Sequence, residues 1–344
     1  MHHNNQINSA NVVSNNRVAI LDLLRFMAAI FVLLYHYHYY LVKVAGDNSF
    51  ALFKFGYLGV NFFFMLSGFV IMASAHNRSA IKFGLLRALR LYPAFISCLI
   101  ITLVVLYLFG NELPSVSAIL LNALIINDYF GVPNVDGVYW TLQAELKFYG
   151  CVFLLILFSF LSHYRVWLSI WIALAISFHY FSQPFFLGWL ISPTYSFFFI
   201  GGVSAYYIFN NAKDRFAWFI FMLTMAFSLV KSWEQITGFC WDAREIDRMV
   251  AAAITFCFYL LFIFLPQLNK KIKPSKLIAV LGGMSYPLYL IHSRAGLELV
   301  GGIEGVVGIY GALLIAIFAV LATSLLVHLY IEKPIFKRAN AYLR

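Results

Sequence analysis

Arg25 and His36 stand eleven positions apart in one apolar run near the start of a 344-residue chain. In an α-helix, 100° per residue returns that spacing to within about 20° of the same face, roughly 16 Å further along the axis. One face would thus carry a guanidinium low down and an imidazole high up. An imidazole titrating near neutral pH can take a proton from an attacking alcohol, and a nearby carboxylate can orient it. Glu145 is the candidate carboxylate, and His292 is a second candidate imidazole. Arg87 and Arg90, at i and i+3, place two guanidiniums on one helix face. Paired guanidiniums suit phosphates, which acyl-coenzyme A would bring. The chemistry open to these residue types is acyl transfer to a hydroxyl. Taken singly, each has a plainer explanation. Arg25 can snorkel to a membrane surface, His36 can be a satisfied buried polar group, and Arg87 and Arg90 can mark the border of a span.

The elements that must position them are membrane helices. The chain is 62% hydrophobic and 11% charged, whereas soluble domains are about 25% charged. Its apolar runs repeatedly reach the roughly 20 residues a bilayer demands. The expected fold is an all-α integral membrane bundle of about ten transmembrane helices, near residues 19–42, 57–75, 88–109, 140–161, 165–181, 185–209, 215–232, 248–266, 276–297 and 304–331. Residues 115–127 are apolar but too short to span, and suit an interfacial or re-entrant piece. A polar tail, 1–17, and a short basic tail, 333–344, flank one transmembrane domain over 18–332. Residues 1–17 lack the apolar stretch and cleavage site of a secretory signal.

Charge sets the orientation. With ten spans and an inside N-terminus, 16 of the 24 Lys and Arg residues fall in inside loops or at the inner ends of spans, and six in outside loops or at outer ends. That is the positive-inside bias, with both termini cytoplasmic. An eleventh span at 115–127 would put the basic 267–276 loop outside. The net charge of +10 is therefore topological, and no nucleic-acid partner is expected. Cys98, Cys151, Cys240 and Cys257 show no metal-ligand spacing, so no metal is expected.

Ionisable groups inside membrane helices are costly and therefore informative. Counting about 1.5 Å per residue along each helix puts His36, Asn61, Glu145 and His292 in the outer third. Asp22, Arg25, Arg87, Arg90 and Glu332 fall at the inner face. Two layers follow, a chemical site outside and an anion anchor inside.

The motifs resemble those of the membrane acyltransferase-3 family over the whole chain. They are Leu21-Asp-Leu-Leu-Arg25 through His36, Gly56-Tyr-Leu-Gly-Val-Asn-Phe-Phe-Phe-Met-Leu-Ser-Gly-Phe69, Arg87-Ala-Leu-Arg90-Leu-Tyr-Pro93, Trp140-Thr-Leu-Gln-Ala-Glu145, Ser285-Tyr-Pro-Leu-Tyr-Leu-Ile-His292 and Glu332-Lys-Pro334. The resemblance implies ten helices, acyl-coenzyme A as co-substrate and a carbohydrate acceptor. It also implies a catalytic His36 and an essential Arg25. Many members have Asp where this chain has Asn61, which removes a carboxylate from that position.

The expected function is transfer of an acyl group, acetyl in the first instance, to a hydroxyl of a surface polysaccharide, lipopolysaccharide or lipid-linked glycan at a bacterial inner membrane. His36 would be the base or a transient acyl carrier, and Glu145 would orient it. Arg25, Arg87 and Arg90 would hold the donor, with His292, Asn61, Asp22 and Glu332 as further candidates. Besides the acceptor glycan, only membrane lipids are expected partners. The competing reading is a secondary transporter or flippase, since buried His, Arg and Glu also serve proton coupling. The repeat symmetry and paired broken helices of such transporters are not evident.

Overall fold

A computed structural model describes residues 19–182, 186–240 and 242–342. The tail at 1–17 lies outside the described residues. No strand occurs among the described residues. Apolar runs of this length satisfy their own backbone groups only as helices once water is excluded.

In chain order the helices are α1 Ala19–Ala45, α2 Leu58–Ala75, α3 Ala80–Leu108, α4 Val116–Ala123, α5 Trp140–Leu157, α6 Tyr164–Phe181 and α7 Leu187–Leu190. They continue with α8 Pro193–Asn210, α9 Arg215–Phe239, α10 Glu245–Ile263, α11 Leu265–Lys271, α12 Lys276–Ile291, α13 Arg294–Leu326 and α14 Lys333–Tyr342. Seven helical segments among the described residues are long and apolar enough to cross a membrane: Ala19–Ala45, Ala51–Ala75, Ala80–Leu108, Gly137–Leu157, Arg215–Phe239, Glu245–Ile263 and Arg294–Ala339. The protein is thus an integral membrane protein. The other expected spans are helical but shorter. Both α6 and α8 have 18 residues and α12 has 16.

Three boundaries differ from the sequence expectation. The segment 185–209 is divided before Pro193, which has no N–H to continue a preceding helix and instead opens α8. The segment 276–297 stops at Ile291, because the chain turns at His292 and Ser293 to begin α13. The expected loop at 298–303 is helical, and the break falls at Gly308, with φ 73° and ψ 159°. That conformation is open essentially to glycine alone. As expected, residues 115–127 do not form a span, and α4 is only eight residues long.

The chain divides into two compact units. Of the described residues, the first holds those up to Leu24 and those within Leu58–Phe83 and Ala144–Ile278; the second holds those within Arg25–Tyr57 and Gly84–Gln143 and those from Ala279 on. In the first unit α2 packs on α8, α8 on α9, and α9 on α10. A Cβ at Gly68 would run into the backbone carbonyl of Phe199, and one at Gly202 into that of Met65. Without a hydrophobic drive between membrane helices, this close backbone approach supplies the packing. Hydroxyl pairs join α9 to α10, Ser228 with Tyr259 at 2.9 Å and Ser232 with Thr255 at 2.6 Å. Gly68→Ala and Gly202→Ala are each expected to destabilise the protein by about 1–3 kcal/mol, the usual range for overpacking. A thermal-shift measurement in detergent checks this, and an unchanged midpoint for both would contradict the α2–α8 contact.

In the second unit a Cβ at Gly56 would meet the Phe31 carbonyl, which lets the 51–57 segment lie against α1. The end of α13 widens into a π-helix over Val327–Glu332. Such turns recur at functional sites because they re-aim side chains by one position.

Candidate active site

The second unit brings His36 and His292 together. Their ring centroids are 5.0 Å apart with 57° between the planes. His36 is half-buried on α1, where its ring also meets Tyr35 edge-on. His292 follows the last residue of α12 and is 0% exposed. Its Nδ1 lies 2.8 Å from the Tyr289 carbonyl. A carbonyl only accepts, so Nδ1 carries the proton and Nε2 carries the lone pair. That Nε2 has no hydrogen-bond partner among the described residues. The arrangement is therefore one imidazole of fixed tautomer, with an uncommitted basic nitrogen, packed against a second that is partly open.

The turn holding His292 is stitched to residues 136–138. The Tyr289 hydroxyl donates to the Val138 carbonyl at 3.5 Å. Asp136, also 0% exposed, accepts the Arg294 N–H at 2.7 Å and the Val138 N–H at 3.1 Å. The Ser293 hydroxyl donates to the same carboxylate. Burial pushes the Asp136 carboxyl up to about 6, while the Val138 and Arg294 N–H donors, the Ser293 hydroxyl and the Arg294 charge act in the opposite direction.

Also in this unit, Arg90 on α3 forms an ion pair with Glu332. The other Glu332 oxygen lies 3.1 Å from His328 Nδ1. Glu332 is 1% exposed and Arg90 is half-buried. His328 fits because Gly283 has no side chain, and a Cβ there would strike its ring. The π-helix supplies both His328 and Glu332. Arg87 is half-buried one turn before Arg90, and Arg25 is half-buried on α1.

The first unit holds the remaining candidates. Glu145 accepts from Ser67 Oγ at 2.5 Å and from the Tyr149 hydroxyl. Asn61 donates to Gln235 Oε1 at 3.1 Å. Asp22 is buried on α1. Each has its own setting, and Glu145 is held by two hydroxyls.

Sequence reasoning missed Asp136, Ser293 and His328. Asp136 gave a faint signal as an acid just before the Gly137–Leu157 span, a capping position. Its main partner, the Arg294 N–H, is 158 residues away, and no local pattern points there. His328 lies one helical turn before Glu332 and could have been paired with it by spacing.

The acyltransferase-3 family model, described as an acyltransferase domain, matches residues 18–332. The matched stretch includes every candidate site residue named above. No curated protein and no solved structure matches the chain significantly. A membrane chain that is helical and strand-free over its described residues, matched by this model over residues 18–332 with its buried polar residues inside the matched stretch, belongs to the acyltransferase-3 family of membrane acyltransferases.

Proposed function

We propose that the protein transfers an acyl group, acetyl in the first instance, from acyl-coenzyme A to a hydroxyl of a surface polysaccharide, lipopolysaccharide or lipid-linked glycan. The observation that carries this reading is the imidazole pair, with an uncommitted Nε2 on His292 and His36 half-buried beside it. His36 is the member that incoming groups can touch. It takes the proton of the acceptor hydroxyl as that oxygen attacks the thioester carbonyl. The carbon–sulfur bond breaks, an ester forms, and the imidazolium returns the proton to the thiolate. Glu145, held by Ser67 and Tyr149, is the supporting carboxylate of this scheme. Arg87, Arg25 and Arg90 receive the phosphates of the donor, Arg90 sharing its guanidinium with Glu332. No metal enters this scheme. The test is release of free thiol and ester formation with acetyl-coenzyme A and purified lipopolysaccharide in proteoliposomes, comparing the wild type with the imidazole variants. Loss of neither activity in those variants would remove the proposed centre.

The orientation proposed with it is ten spans, both termini cytoplasmic, in a bacterial inner membrane. The support is the 16-to-6 division of basic residues. Reporter fusions at residue 128 and at the C-terminus are expected to report opposite sides. A cytoplasmic signal from both would sink the ten-span arrangement.

A further inference from the structure

The turn around His292 holds a buried carboxylate that the proposed chemistry does not use. We infer that Asp136 is a positioning residue, which sets the place and aim of the basic nitrogen of His292. The inference rests on the proposed role of the imidazole pair.

Asp136 is fully buried, so its contacts are not diluted by water. It accepts from the Arg294 N–H and from the Ser293 hydroxyl, the two residues directly after His292. It also accepts from Val138 N–H, and the Val138 carbonyl in turn accepts from Tyr289. The Tyr289 carbonyl is the group that fixes the His292 tautomer. The imidazole is thus gripped from both sides of its own residue. On one side Tyr289 holds Nδ1, and on the other Asp136 holds the chain at 293 and 294. Both grips run back to residues 136–138. Besides Arg294, the ionisable groups that act on this carboxylate are Cys98 and Tyr139. A cap alone would need one N–H. Asp136 meets three donors, two of them adjacent to an imidazole whose other nitrogen is open. Outer partners of a metal-bound imidazole are typically worth about 10–100-fold, and the same scale is expected for an imidazole that acts without a metal.

The test is a double-mutant cycle with acetyl-coenzyme A as donor and purified lipopolysaccharide as acceptor, in proteoliposomes. Asp136→Asn keeps the shape, but it puts an amide N–H where one donor must be accepted. It is expected to lower kcat about tenfold, with KM for acetyl-coenzyme A unchanged. In a His292→Ala background the same change is expected to cost nothing further, since the group it acts through is gone. An equal proportional loss in both backgrounds, or full turnover in Asp136→Asn, would overturn the inference. Where Asp136→Asn does not fold, Ser293→Ala takes its place in the cycle, with a loss of about threefold expected to vanish in the same background. If His292→Ala keeps full turnover while His36→Ala loses it, Asp136 has nothing to position, and only this inference fails. If both keep full turnover, the proposed centre has failed as well.

Discussion

His36→Ala is expected to lose acyl transfer by at least about 10²-fold, within the 10²–10⁴ that general base catalysis commonly contributes. The protein should remain folded and retain acyl-coenzyme A. The side chain is half-buried in ring contact with Tyr35 and His292, so truncating it removes packing between rings. His292→Ala is expected to lose about 10–100-fold, the range for a group that supports the reacting one. Its ring is fully buried, so some loss of stability accompanies it, and His292→Asn or →Gln serves as a folding control. Glu145→Gln should slow transfer less than either, because Ser67 and Tyr149 can still engage a neutral amide oxygen. The measurement is ester formation on purified lipopolysaccharide at matched protein levels. A larger loss in His292→Ala than in His36→Ala would exchange their roles. Normal turnover in both would remove the mechanism.

The largest stability effect is expected at Arg90. Glu332 is buried and ion-paired to it, so Arg90→Ala leaves a carboxylate without its cation, a loss of about 3 kcal/mol. In the double variant Arg90→Ala with Glu332→Gln, most of that loss should return, because no uncompensated charge remains. The readout is the unfolding midpoint in detergent. No difference between the single and double variants would mean that the pair does not hold α3 to the π-helix. Arg87→Ala serves as the contrast. It should weaken acyl-coenzyme A binding with a smaller loss of stability, and the deficit should shrink as salt rises. If Arg87→Ala binds the donor normally, its charge marks topology alone.

Counting 1.5 Å per residue along single helices placed His36 and His292 at one depth and Arg90 and Glu332 at another, and each pair meets. That worked because depth along a membrane helix is set by length alone. Position around the helix and the partners across it are set by packing, which the sequence does not display. Hence Asp136 went unnoticed, although it defines where α12 ends and α13 begins. The halt at Ile291 was hidden for the same reason. Residues 276–297 are apolar enough to read as one span, and the turn is made by a carboxylate far away in the chain. Gly308 breaks α13 among Gly301, Gly302, Gly305 and Gly311, and nothing in such a run marks which glycine takes the positive φ. Glu145 was legible as an acid inside a membrane span. Its Tyr149 partner, four residues on, was accessible from helical spacing, whereas Ser67 was not.

On the proposed mechanism, the pairing of His36 with His292 also sets when the protein can acquire its chemistry. At roughly 5–20 residues per second of synthesis, His36 enters the bilayer on the order of ten to fifty seconds before its partner is made. Arg90 waits a similar time for Glu332. Membrane insertion must therefore keep a guanidinium and an imidazole in place with whatever water, lipid headgroups or insertion machinery are at hand. A nascent chain stalled before residue 292 would carry most of its apolar helices and no assembled imidazole pair. On the proposed mechanism, such a chain would transfer acyl groups only at the reduced rate expected of a His292 variant.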